Sequence, residues 1–296
     1  MARAERLPLQ SQQTMALEIA EGAVVAEHVE TVGRALKGAA RLVPFVDAEP
    51  ELATLLDRFG PARGVTHPLY PFWYLKNDGL WELPRADGLP RRSGSKEPLV
   101  SAVRDAHLEG GFPAPIHELL SLRPRLVVEL AHEILSEHFA ESMHDDIADA
   151  VGLDLAVVSL TRRIPRPPGF RDAVLRAYGH RCAICGFQAL LDGAAIGIEA
   201  AHVQWHAFKG PSTPDNGLAL CVLHHKLLDL GVLGISPALN VLVSSRVSGD
   251  AEAARLVVAH AERPIARPQA GVAPISERFA NWHFDQVFKK PHRAAV

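Results

Sequence analysis

The chain has 296 residues, 48% of them hydrophobic, with a formal net charge of −3 and a pI near 6.6. That length fits roughly two domains of ~100–200 residues, and the apolar content excludes bulk disorder. No run of about 18 apolar residues is present and the segment from Met1 to Pro8 has no apolar signal core, so no membrane span is expected and the chain reads as cytoplasmic.

In chain order, residues 14–40 are rich in Ala, Glu and Val at helix-like spacing, and the segment from Glu49 to Phe59 fits a short amphipathic helix. The aromatic stretch His67-Pro-Leu-Tyr-Pro-Phe-Trp-Tyr-Leu-Lys-Asn-Asp-Gly-Leu-Trp-Glu82 follows, its Asn-Asp-Gly predicting a tight turn between two short extended segments. Arg91-Arg-Ser-Gly-Ser-Lys96 is a basic loop, and residues 125–150 predict one long helix or two joined ones with an acidic face. Arg163-Ile-Pro-Arg-Pro-Pro-Gly169 cannot be helical and predicts a stiff linker. Beyond it, a basic helix is expected from Phe170 to Tyr178, a strand from Ile196 to Val203, a helix from Asn216 to Leu230 and a strand from Leu239 to Ser245. The fold class is α+β, with an N-terminal mixed α/β domain over 1–162, a Pro-rich linker over 163–169 and a second domain over 170–296.

Charge is uneven along the chain. Arg162, Arg163, Arg166, Arg171, Arg176 and Arg181 face a single acid, Asp172, across residues 162–181. Such a stripe can hold phosphates on a mildly acidic protein, and a merely solvated face is the plain alternative.

The three cysteines, Cys182, Cys185 and Cys221, are an odd number, which fits metal binding better than a disulfide framework. Cys182 and Cys185 form one knuckle, and Cys221 and His224 form a second at the same spacing. Thiolate and imidazole suit tetrahedral Zn²⁺, and a site with four protein ligands is closed and therefore structural. Three buried cysteines spaced this way by accident are the competing reading.

The succession C-x2-C, a strand ending in Ala-Ala-His202, Asn216, then Cys-x2-His-His225 resembles the HNH endonucleases of the ββα-metal type. Glu-Ala-Ala-His…Asn-Gly-Leu-Ala-Leu-Cys-x2-His-His-Lys-x2-Asp is similar to McrA-like modification-dependent restriction enzymes, over about residues 170–245. The resemblance implies His202, Asn216 and His225 as catalytic residues. A neutral histidine can take a proton from water at cellular pH, which casts His202 as general base. A divalent cation, Mg²⁺, Mn²⁺ or another, would polarise the phosphate, with His225 among its ligands. In a helix Asp229 shares the face of His225, whereas His224 points about 100° away, so the two histidines can serve different metals. Asn216 is expected to hold the connecting loop and orient His202, or to be a plain helix N-cap. Many family members carry an acid just before the first histidine, where this chain has Ala201. The second ligand is left among Asp229, Glu199 and His206.

Thr66-His-Pro-Leu-Tyr-Pro-Phe-Trp73 and Asn77-Asp-Gly-Leu-Trp81 resemble the sulfur-binding domains found upstream of HNH modules, over about residues 20–160. The partner this implies is double-stranded DNA with a phosphorothioate backbone. Tyr70 and Pro71 are expected to offer sulfur an apolar dent, with His67, Arg92, Ser93 and Lys96 as further DNA contacts and Phe72, Trp73 and Trp81 as core. The expected function is cleavage of phosphorothioated DNA. A methylated-base reader with the same nuclease, or a zinc-bearing DNA-binding protein without catalysis, are the alternatives. Double-strand cleavage needs two active sites, so a homodimer is expected.

Overall fold

The computed structural model describes residues 40–60, 67–91, 93–153 and 169–294. The helix expected over 14–40 and the Pro-rich linker fall outside the described residues, apart from Ala40 and Gly169. The chain divides into two units, residues 1–138 with 146–160, and residues 139–145 with 161–296. Both mix helices and short antiparallel strand pairs, and no described helix is long and apolar enough to cross a membrane.

In the first unit, strand Leu42–Pro44 pairs antiparallel with Glu109–Gly111 and runs directly into helix Phe45–Phe59. Phe45, Ala48, Leu52, Leu55, Leu56 and Phe59 are buried at three- and four-residue steps, the stripe by which a helix covers a core. The helix therefore begins at Phe45 rather than at Glu49.

The aromatic stretch departs from expectation. Leu69–Tyr74 is helical, Leu75–Asp78 continues as a 3-10 turn, and Gly79 (φ 72°) ends it. Pro68 and Pro71 do not oppose this, because amides in a first helical turn have no intrahelical acceptor to lose. His67 Nδ1 instead accepts from the Leu69 N–H at 3.1 Å. Leu69, Phe72 and Trp73 thereby reach the core at helical spacing. Phe72 packs edge-on against Phe45 (5.0 Å) and Trp81 (5.5 Å). Only the far side of the turn is extended, where Glu82 bridges Gly111. Trp81 lies so close to Gly110 that an added Cβ would fall 2.6 Å from its ring. Residues 125–150 form two joined helices, Pro124–His138 and His144–Val151, separated by the 3-10 turn Glu141–Met143.

In the second unit, helix Phe170–Ala177 lies on an antiparallel pair formed by Ile198–His202 and Gly217–Cys221, in the register His202 with Gly217 and Ile198 with Cys221. Gly197 (φ 67°) separates that pair from a small hairpin, Ala189–Leu191 with Ala194–Ile196. Helix Val222–Asp229 follows the second strand, which completes a ββα unit. Leu233–Ile235 pairs with Val241–Val243 behind it.

The helix expected from Asn216 is thus corrected: residues 217–221 are strand. Leu and Ala favour helix, but Leu218, Ala219 and Leu220 are each fully buried, which suits a strand covered on both faces. Gly217 secures the crossing, since a Cβ there would sit 2.4 Å from Val174 Cγ2.

Candidate functional site

His202 ends the first strand of the ββα unit. Its ring stacks on Phe170 (centroids 4.1 Å apart, 19° between planes), and its Nε2 is 3.1 Å from Ser212 Oγ. His206 lies beside it, with ring centroids 5.9 Å apart, and its own Nδ1 faces the Gly210 carbonyl. Asn216 is completely buried. Its Oδ1 accepts from the Gln204 N–H at 2.8 Å, and its Nδ2 donates to the carbonyls of Gln204 and Pro211, each at 2.9 Å. It caps no helix. It closes the loop that carries Ser212 back under His202, and burying an amide with every bond satisfied makes that closure rigid. Trp205, Phe208 and Trp282 form a second clasp on the same loop, with centroids 5.5–6.0 Å apart.

His224 and His225 open the Val222–Asp229 helix and diverge. His224 Nδ1 faces Cys221 Sγ (3.2 Å) and Cys182 Sγ (3.5 Å), while its Nε2 lies 3.0 Å from the Leu256 carbonyl. That outer bond fixes the tautomer and leaves Nδ1 as a donor atom. The ligand atoms of Cys182, Cys185, Cys221 and His224 all lie within 4.8 Å of one another. The Cys221 thiol draws Cys182 down to about 3, against the cost of its burial. Cys221 is pushed up in turn by Cys182, and Cys185 by burial. Three sulfurs and one imidazole crowded in this way suit Zn²⁺, which relieves the repulsion among several thiolates.

His225 turns to the other side. Its Nδ1 is 2.6 Å from Glu199 Oε2, and its Nε2 is 3.3 Å from Asp229 Oδ2. Asp229 also accepts from Ser142 Oγ, whose carbonyl accepts from Lys226 Nζ. Burial pushes the Asp229 carboxyl up, and His225 and Ser142 oppose it. Ser142 and Ser212 escaped sequence reasoning. Ser142 is 87 positions from its partner, and Ser212 sits in an aperiodic loop, so neither carries a local signal.

In the first unit Tyr70 is 42% exposed and Pro71 is buried behind it, so the two do not share an open surface. Tyr74 stacks parallel to Tyr70 one helical turn on, at 6.4 Å. Its hydroxyl donates to Glu97 at 2.8 Å, and burial and that carboxylate push it up to about 12. His67 caps the helix through Nδ1, and its Nε2 lies 3.7 Å from Glu49. Ser93 and Lys96 are exposed, and Arg92 lies outside the described residues. Lys76, and Arg91 of the basic loop, neither of them expected as a DNA contact, flank the Trp73 ring at 3.4 and 5.7 Å. Burial, and then Arg91, lower the Lys76 ammonium.

Residues 30–156 match the family described as ScoMcrA-like, DNA sulfur-binding domain, and residues 182–236 match the HNH endonuclease family HNH_2. No curated protein matches the chain. Among solved structures, the sulfur binding domain of ScoMcrA complexed with phosphorothioated DNA is similar at 22% identity, over 43% of this chain and 84% of that one, with a TM-score of 0.38. The sulfur binding domain of SprMcrA with phosphorothioated DNA is similar at 28%, over 42% and 77%, with a TM-score of 0.35. The type IV phosphorothioation-dependent restriction endonuclease ScoMcrA is similar at 21%, over 66% of this chain but 38% of its own length, with a TM-score of 0.41.

Proposed function

We propose that this chain, which joins a ScoMcrA-like DNA sulfur-binding domain to an HNH endonuclease domain, is an endonuclease that recognises phosphorothioated double-stranded DNA and hydrolyses phosphodiester bonds nearby. The observation that carries the reading is the presence of both domains in one chain, with His202, Asn216 and His225 held on a single ββα unit. The reading domain is taken as residues 1–162, the linker as 163–169 and the nuclease domain as 170–296, although residues 139–145 group with the second unit.

His202 accepts the proton of the attacking water as its oxygen bonds to phosphorus. The bond from phosphorus to the 3′ oxygen breaks, and the leaving oxygen takes a proton from solvent water, giving a 5′ phosphate and a 3′ hydroxyl. Phe170 fixes the plane of the base and Ser212 holds its Nε2, so the imidazole needs no reorientation in the transition state. Asn216 keeps the Ser212 loop in place. His225 would be a ligand of a divalent cation, Mg²⁺ or Mn²⁺, which when bound supplies charge to the phosphate and to the leaving oxygen. Cys182, Cys185, Cys221 and His224 would hold structural Zn²⁺, and a homodimer would bring two nuclease sites to the two strands of a duplex.

Target choice rests on the first domain. Sulfur is larger, softer and less strongly hydrated than phosphate oxygen, so an apolar contact accepts it while an oxygen in the same place loses water without a replacement partner. Tyr70, 42% exposed, presents such a surface, its ring parallel to that of Tyr74. Gel shifts of wild type and Tyr70→Ala with matched phosphorothioated, methylated and plain duplexes test this. Tyr70→Ala should weaken binding to the modified duplex by about 1–3 kcal/mol, roughly 5- to 150-fold, and leave plain-duplex binding unchanged. Equal losses on both duplexes would sink the sulfur contact, and a preference for the methylated duplex would identify a base reader.

A further inference from the structure

We propose that Glu199 is the second protein ligand of the catalytic cation, sharing it with His225 Nδ1, and that Asp229 is a positioning residue acting on His225 Nε2. This rests on the reading of His225 as a cation ligand. The two nitrogens of an imidazole point away from each other, so an ion bound at one cannot be shared by a carboxylate seated against the other. Glu199 is 2.6 Å from Nδ1, and Asp229 is 3.3 Å from Nε2. One carboxylate is therefore placed to bind the ion and the other to orient the ring.

Burial separates the two roles. The Asp229 side chain is 2% exposed and is already engaged by Ser142 Oγ, whereas the Glu199 side chain is 45% exposed. A cation that meets a DNA phosphate and water needs the edge of the ring nearer solvent, and Nδ1 is the nitrogen that faces the more exposed carboxylate, Glu199. Asp229 lies 3.3 Å from Nε2 on the closed edge, where a carboxylate favours the proton on Nε2 and the lone pair on Nδ1 once a cation joins Glu199 there. The strand leads to the same residue. Side chains two apart on a strand share a face, so Glu199 lies on the face of Ala201, and Ala201 is fully buried and has no donor atom. Glutamate has the reach to meet His225 from there. Register fixes this face, because residue 199 is paired with Leu220 and residue 201 with Leu218.

The test is a Mg²⁺ titration of the zinc-loaded full chain, read by the ¹⁵N shifts of the histidine rings. Wild type should show the His225 Nδ1 resonance moving with Mg²⁺ while Nε2 keeps its proton. Glu199→Gln, close in shape, should weaken that titration tenfold or more with zinc content and thermal unfolding unchanged. Asp229→Asn should raise the population protonated at Nδ1 before any Mg²⁺ is added, a change that simple loosening of the fold would not produce. The proposal is overturned if Nε2 is the nitrogen that responds, or if Glu199→Gln titrates like wild type. A different result marks failure of the parent reading: if neither nitrogen of His225 responds in wild type, His225 is not a cation ligand and the assignment of Glu199 falls with it.

Discussion

Replacing His202 by alanine is expected to lower cleavage of phosphorothioated DNA by roughly 10²–10⁴-fold, the usual contribution of a positioned general base, while leaving binding of that DNA unchanged. The two effects separate because His202 sits in the second unit and Tyr70 in the first. The ring of His202 is stacked on Phe170, with centroids 4.1 Å apart, and its Nε2 edge lies 3.1 Å from Ser212 Oγ, contacts that fix its orientation. Single-turnover cleavage assays beside filter binding check this. Normal cutting by His202→Ala would remove His202 from the chemistry, and a parallel loss of binding would mean that the variant had disturbed the fold instead.

Removal of the zinc proposed for the Cys₃His cluster is expected to have the second large effect. Chelation of zinc, or Cys182→Ser, should unfold or loosen the second unit and abolish cutting. At free zinc a thousandfold above its Kd the bound ion contributes about 4 kcal/mol, which for a unit of this size lowers Tm by on the order of 10 °C. Cys182 is 1% exposed and belongs to the same apolar cluster as Leu175, Leu218 and Leu220, so the loss is felt in the core as well as at the ligands. Calorimetry with and without chelator measures it. The same unfolding profile in both conditions would show that the Cys₃His cluster holds no ion of consequence.

Much of the site was legible because it is written in spacing. The cysteine pairs lie two residues apart, and a helix sends adjacent histidines about 100° from each other, so His224 and His225 part as the helical step requires. What sequence could not supply were contacts made across the fold. Glu199 meets His225 only because strand register brings position 199 over the helix, and Ser142 meets Asp229 across 87 positions. Asn216 stood between two roles until the loop it closes was in view. Local propensity failed at two places where tertiary burial won. The Leu-Ala-Leu run after Gly217 became strand under full burial, and the proline-spaced aromatics after His67 became a helix. The arginine stripe lies partly outside the described residues, but one of its members, Arg171, donates to the Ile198 carbonyl at 3.3 Å and so has a structural contact of its own.

The association of a sulfur reader with a nuclease makes the central claim that sulfur licenses cutting. The direct measurement is cleavage of one synthetic duplex, made with and without a single phosphorothioate linkage, by the full zinc-loaded chain with Mn²⁺ or Mg²⁺. The account predicts cutting near the linkage in the modified duplex, none without divalent cation, and little or none in the plain duplex. Equal cutting of both duplexes, or none of either with any divalent cation, would contradict it.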